Sequence, residues 1–188
     1  MSRKETMLEI AQKHQTELNA LKLDTWFNEK YKYWNYSVYY DTTELPTSTW
    51  TQNDFVSLDS EHNVIGYIGY SIDRTSNFAF GLSIMNFSDN KWTFGMDVAQ
   101  AIDDIFVKYK FMKLNFSVIV GNPIEKSYDK LIKRYGGRIV GTREKETTLV
   151  DGNLYDVKMY ELFRGNYLES KMSNSDLHGY SSHSSYNC

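Results

Sequence analysis

The sequence predicts a single α/β domain of the mixed-sheet kind: a central sheet of about six to seven strands, flanked by helices and led by an amphipathic helix. Three observations predict it. Period-two alternation dominates residues 33–87, helical and strand periods alternate over 95–135, and two long strand-like segments meet at Asp151-Gly152 near the end. A length of 188 residues suits one core rather than two.

The leading helix is read over about residues 4–23, where Met7, Ala11, His14, Leu18 and Leu21 recur at spacings of four and three and so share one face. That face needs a partner, either the domain itself or a second chain through a short coiled-coil seam. His14 on it reads as a helix-surface residue rather than a ligand. From Tyr33 the period becomes two, with Tyr36, Val38 and Tyr40 on one side of a strand. After a loop with Pro46, Asp54–Ser60 and Asn63–Asp73 form a hairpin around Glu61-His62-Asn63, and Phe78–Phe87 adds a further strand. These make an antiparallel meander.

Val98, Ile102, Ile105 and Tyr109 share a stripe that predicts a helix over about 95–110. Lys113–Val120 is a short apolar strand halted by Gly121-Asn122-Pro123. Tyr128, Leu131, Ile132 and Tyr135 then mark a helix over 124–135, stopped by Gly136-Gly137. Strands at about 138–150 and 154–163 follow, joined by Asp151-Gly152-Asn153, a tight-hairpin signal. Residues 1–167 therefore read as one domain, with a helical segment over 1–30 and sheet and helices over 33–167. Residues 168–188 read as a Ser- and Asn-rich flexible tail.

Charged residues make up 24% and the formal net charge is -3, so no basic footprint points to nucleic acid. Fifteen Tyr, ten Phe and four Trp put large flat side chains at the centre of the core, with a surplus for an interface. The single cysteine, Cys188, excludes an intramolecular disulfide, and no metal-ligand spacing occurs, His178 and His183 lacking carboxylate or Cys companions. No apolar leader or long apolar run is found, which predicts a cytoplasmic protein that neither crosses nor binds a membrane.

The order meander, strand, helix, strand, helix, hairpin resembles the GNAT (Gcn5-related N-acetyltransferase) superfamily. So do Arg138-Ile139-Val140-Gly141-Thr142-Arg143, the run Asp151 to Tyr160, and Arg164-Gly165-Asn166-Tyr167, which are similar to the closing hairpin of ribosomal-protein and related enzymes. The Asn, Lys, Tyr and Ser content is also similar to that of phage-encoded GNAT relatives. The resemblance covers roughly residues 56–167 and implies an acyltransferase using acetyl-CoA, without a metal.

In that family two parallel strands splay apart, and the pantetheine arm satisfies their free main-chain groups as an added strand would. The resemblance places Ile84, Met85 and Asn86 on one such strand and Asn122 just past the other. The diphosphate would meet the start of the following helix, expected near Gly95. The family's glycine-rich loop corresponds here to Asn90-Lys91-Trp92-Thr93-Phe94-Gly95-Met96-Asp97, in which Gly95 alone matches. Lys91 would supply positive charge, Asp97 in the first turn would repel a phosphate, and Trp92 and Phe94 are bulky enough to suit a loop reused for packing. Lys126, Lys130, Lys133 and Arg134 line the later helix, as a solvated face or as partners of the 3′-phosphate.

For the group that protonates the leaving thiolate, Tyr128 is the nearest tyrosine, although the family's tyrosine aligns closer to Ile132; Tyr128 reads more readily as a core or helix-face residue. The chemistry implied is acetyl transfer to a primary amine of a protein or small molecule. The alternative is a catalytically degenerate GNAT-fold binding or assembly module, such as a phage virion component, with the N-terminal helix serving homo-oligomerisation.

Overall fold

A computed structural model describes residues 7–26, 28–34, 44–89 and 91–179, residues 174–179 by their backbone only. From residue 35 on, the strand expected over Tyr33–Tyr40 lies outside the described residues.

Seven strands form one mixed sheet in the order β1-β2-β3-β4-β5-β7-β6. They are β1 (Leu8–Ile10), β2 (Gln52–Leu58), β3 (Val64–Asp73), β4 (Phe78–Asn86), β5 (Lys113–Ile119), β6 (Arg138–Thr148) and β7 (Leu154–Phe163). The helices are α1 (Gln15–Asp24), α2 (Lys91–Phe106), α3 (Glu125–Arg134) and α4 (Arg164–Gly179). The expected meander is β2-β3-β4, and the expected closing hairpin is β6-β7, with Gly152 at φ +78° in its turn.

Strict alternation along β2 and β3 divides the core in two. Val56, Leu58, Tyr67 and Met85 face the N-terminal segment, where Ala11 of the turn before α1 and Leu18 of α1 are wholly buried and Met7 and Leu21 pack beside them. The apolar stripe of the N-terminal segment is thus spent on its own sheet. On the opposite face Ile68, Tyr70, Ile72, Ala79, Leu114 and Phe116 pack under α2, α3 and α4. Much of the aromatic content is consumed here. Phe116 stacks on Tyr160 at 5.1 Å, and Tyr167 of α4 lies 4.8 Å from Phe106 and 4.6 Å from Tyr135, contacts worth about 0.5–1.5 kcal/mol each beyond burial.

Three expectations are corrected. Residues 8–14 are not the first turns of a long helix: Leu8–Ile10 pairs with Phe55–Ser57, and a 3₁₀ turn at Ala11–His14 precedes α1. Half-buried His14 contacts Glu9 across that turn at 3.3 Å. The second helix begins at Lys91, four residues before Gly95. The segment after 168 is helical to Gly179, anchored by the Tyr167 hydroxyl on Asp103 at 3.0 Å; residues 180–188 lie outside the described residues.

Candidate functional site

The site starts from a glycine. Gly81 has φ +66°, and the β3–β4 register slips there, with Ser71 opposite Phe80 but Gly69 opposite Ser83. One extra residue in β4 makes a bulge that a side-chain-bearing residue would adopt only under strain, and bulges bend a strand. The consequence falls on the other edge of β4. Parallel pairing with β5 runs through Phe78/Lys113, Ala79/Leu114 and Phe80/Asn115 and stops, although β4 continues to Asn86 and β5 to Ile119. The two facing edges diverge beyond the bulge. β5 remains bonded on its far side to β7, and β4 to β3.

Ile84, Met85 and Asn86 lie on the free stretch of β4. Met85 is buried in the α1-side core and Ile84 packs on the other side, so what they offer to the gap is backbone. The Asn86 carboxamide oxygen accepts the Ser88 N–H at 3.0 Å, and its carbonyl accepts the Tyr31 hydroxyl at 3.2 Å.

α2 begins directly after this strand. Lys91, Trp92, Thr93, Phe94, Gly95 and Met96 are helical, so the expected diphosphate-wrapping loop is its first turns. The helix starts earlier because Phe94 is a core residue: its ring lies on Gly66 of β3, where a Cβ would stand 2.2 Å from it. Asp97 is turned inward as well, fully buried in the second turn, with Ser57 Oγ donating to its Oδ2 at 2.5 Å. Burial raises its carboxyl above the ordinary value, opposed by the Ser57 and Met7 donors. The first turn therefore contains no acid to oppose an anion, correcting the expected repulsion by Asp97. Lys91, Trp92, Gly95 and Met96 face solvent, Trp92 at 77% exposure.

Beyond β5, Asn122 Oδ1 accepts the Ile124 N–H at 3.1 Å and its carbonyl accepts that of Glu125, a local cap for α3. Tyr128, in the first turns of α3, meets Phe116 of β5 edge-on at 5.0 Å and Tyr160 at 6.0 Å. Burial, and then Tyr160, push its phenol well above the usual tyrosine range. Ile132 sits one turn on, against the Gly137–Leu162 side of the core, whereas Tyr128 packs on Phe116 of β5. Lys126, Lys130, Lys133 and Arg134 are exposed along α3. Lys158 bridges Glu125 at 3.1 Å and Asp129 at 2.7 Å, and Asp129 also accepts from Tyr160.

The sequence reading missed a second polar group on the α1 side of the gap. Asp54 on β2 is 2% exposed; its Oδ1 accepts the Tyr67 hydroxyl at 2.6 Å and the Gln52 carboxamide at 2.8 Å, while its buried Oδ2 has no partner among the described residues. Thirteen residues separate Asp54 from Tyr67, so no local motif announces the pair.

Among the described residues, no group of three or more His, Cys, Asp or Glu side chains could hold a metal ion, and no helix is long and apolar enough to cross a membrane.

Known structures share this architecture. A chimera of the spermidine N-acetyltransferase SpeG from Vibrio cholerae with hSSAT matches over 88% of this chain and 99% of its own, at a TM-score of 0.67 and 19% identity. The spermidine/spermine N-acetyltransferase SpeG from Vibrio cholerae in complex with manganese ions matches over 88% and 96%, at 0.58 and 17%. At these identities the likeness concerns the fold, which is that of the GNAT acetyltransferases. No family model and no curated sequence matches the chain, so neither ribosomal-protein nor phage-encoded enzymes are singled out.

Proposed function

We propose that this chain is an acetyl-CoA-dependent N-acetyltransferase that acetylates a primary amine, with a small aliphatic polyamine as the acceptor class. The observation that carries the reading is the pair of backbone edges on β4 and β5 left unpaired with each other, which leads to a helix whose first turn carries no acidic residue. The edges suit an extended amide-bearing arm, and the first N–H groups of α2, with Lys91 beside them, suit a diphosphate. Tyr128 is assigned as the proton donor to the leaving sulfur, beside Phe116 of β5. Polyamines are supported by the spermidine N-acetyltransferases among the structural neighbours.

A second reading, a GNAT-fold module that has lost catalysis, is favoured by one observation: Phe94 and Asp97 of the loop equivalent are used to pack α2 onto β3 and β2. Calorimetric titration with acetyl-CoA and coenzyme A separates the two. The enzyme reading expects micromolar-range binding and a raised melting temperature, followed by acetylation of spermidine or another primary amine. No binding at millimolar ligand refutes it and leaves the module.

A further inference from the structure

From the Asp54–Tyr67 pair we infer that this domain has its own proton-accepting relay for the acceptor amine, Tyr67 receiving the proton and Asp54 storing it. The inference rests on the acetyltransferase reading and adds to it the step in which the acceptor loses a proton.

Register places the pair. Asp54 is opposite Gly69 on β3, and Gly69 is opposite Ser83 on β4, so the three share one cross-strand row and one face of the sheet. Ser83 closely follows the Gly81 bulge, at the base of the gap between β4 and β5. Tyr67 leans along β3 over Gly69: a Cβ on Gly69 would lie 2.2 Å from the Tyr67 hydroxyl oxygen and 2.9 Å from Asp54 Oδ1. The absent side chain is what lets the hydroxyl stand between Asp54 and the Ser83 position. Leu82, Phe116 and Val118 close the opposite face of the gap under the other helices, and the buried Tyr67 hydroxyl is reached in this proposal along the gap itself. Tyr31, whose hydroxyl reaches the Asn86 carbonyl, and Tyr33, near Gly121, border that entrance.

The carboxylate is built asymmetrically. Oδ1 takes both donors, and Oδ2 is buried with none. An orphaned buried acceptor costs about 1–3 kcal/mol, a cost that Asp97 Oδ1 also bears in the core. Of titratable and charged groups among the described residues, Tyr67 on β3 and Lys22 on α1, whose ammonium lies 4.5 Å from the Tyr67 ring centre, face the pair.

In the step assigned here, an alkylammonium gives one proton to Tyr67 Oη as the phenolic proton moves to Asp54 Oδ1. The resulting amine attacks the thioester carbonyl; the C–N bond forms, the C–S bond breaks, the sulfur leaves with the Tyr128 proton, and a second nitrogen proton restores the Tyr128 phenol. Asp54 returns its proton to solvent through Tyr67. Asp54 touches no reacting atom and is a positioning residue acting through Tyr67.

The test uses the full chain with acetyl-CoA and spermidine, comparing wild type, Asp54→Asn, Tyr67→Phe and the double variant. Expected are a loss of about 100-fold or more in kcat for each single variant, KM for acetyl-CoA within about twofold, and a double variant no worse than the singles. The kcat–pH profile of wild type should change shape in Asp54→Asn. Acetyl-CoA binding by calorimetry, measured on every variant, reports the integrity of the fold and of the cofactor site. Wild-type turnover with an unchanged kcat–pH profile in Asp54→Asn overturns the relay alone, as does parallel loss of acetyl-CoA binding. Failure of wild type to bind acetyl-CoA overturns the acetyltransferase reading and the relay with it.

Discussion

Gly66→Ala puts a single methyl group where β3 meets the first turn of α2. That methyl would stand 2.2 and 2.4 Å from two ring carbons of Phe94 and 3.0 Å from the Met85 carbonyl oxygen. Carbon atoms at rest keep about 3.5–4 Å apart, so the ring must retreat by more than about 1 Å. Phe94 is buried, so it has no empty space to retreat into. Overpacking of this kind costs about 1–3 kcal/mol, whereas replacing glycine by alanine in an extended strand returns about 0.4–1 kcal/mol by restricting the unfolded chain. The clash wins. A net loss of about 1–2 kcal/mol is expected, a fall of about 3–6 °C in melting temperature for a chain of this length.

The assay is urea and thermal unfolding of Gly66→Ala in the wild-type and Phe94→Leu backgrounds. A shorter side chain at 94 should reduce the cost of the new methyl to below about 0.5 kcal/mol, giving a coupling of about 1 kcal/mol. Because Phe94 carries the start of α2, acetyl-CoA affinity should fall with stability in the single variant. A Gly66→Ala protein as stable as wild type, or one whose penalty is the same in both backgrounds, refutes the claim that Phe94 sets the position of this helix.

Three further outcomes are expected. Lys91→Glu should weaken acetyl-CoA binding several-fold at low ionic strength, the difference shrinking with added salt in calorimetric titrations, since it reverses an exposed charge at the helix start. Tyr128→Phe removes a hydroxyl that has no hydrogen-bond partner among the described residues; stability should stay within about 0.5 kcal/mol while kcat falls about 100-fold. Asp97 has a native carboxyl raised above the ordinary 3.8 by burial, so its stabilising contribution is complete below the unfolded value and lost as pH rises through the native one. Melting temperatures of Asp97→Asn between pH 3 and 8 should therefore lack part of the wild-type decline on the alkaline side.

The parts of this fold that were legible are those whose signals are local. Asp151-Gly152-Asn153 announces its turn because Gly152 takes a positive φ, and the pleat of the following strand gives the register of β7. The α2 boundary was misplaced by a tertiary effect. Asp97 interrupts the apolar stripe Phe94, Val98, Ala101, Ile102 and Ile105, and it is tolerated only because Ser57, forty residues earlier, meets it in the core. β1 was hidden because Leu8–Ile10 continues the helical spacing of Met7 and Ala11, while its pairing with β2 is non-local. α4 has weak amphipathicity and many serines, and its attachment depends on Asp103 receiving Tyr167 and Lys171. At the candidate site, a glycine inside a strand hinted at the Gly81 bulge, but the divergence of β4 from β5 follows from pairing that no single segment encodes. Asp54 and Tyr67 were invisible for the same reason.

Among the described residues, three residue pairs between β4 and β5, extended by the Met112 N–H on the Asn77 carbonyl, stitch the two halves of the sheet together. A longer seam would add backbone hydrogen bonds and a firmer domain, and a single deletion at Gly81 is the simplest route to one. That route erases the opening. The bulge therefore marks a position where gains in stability and the capacity to bind oppose each other directly. Removing Gly81 should yield a protein that melts later and binds nothing.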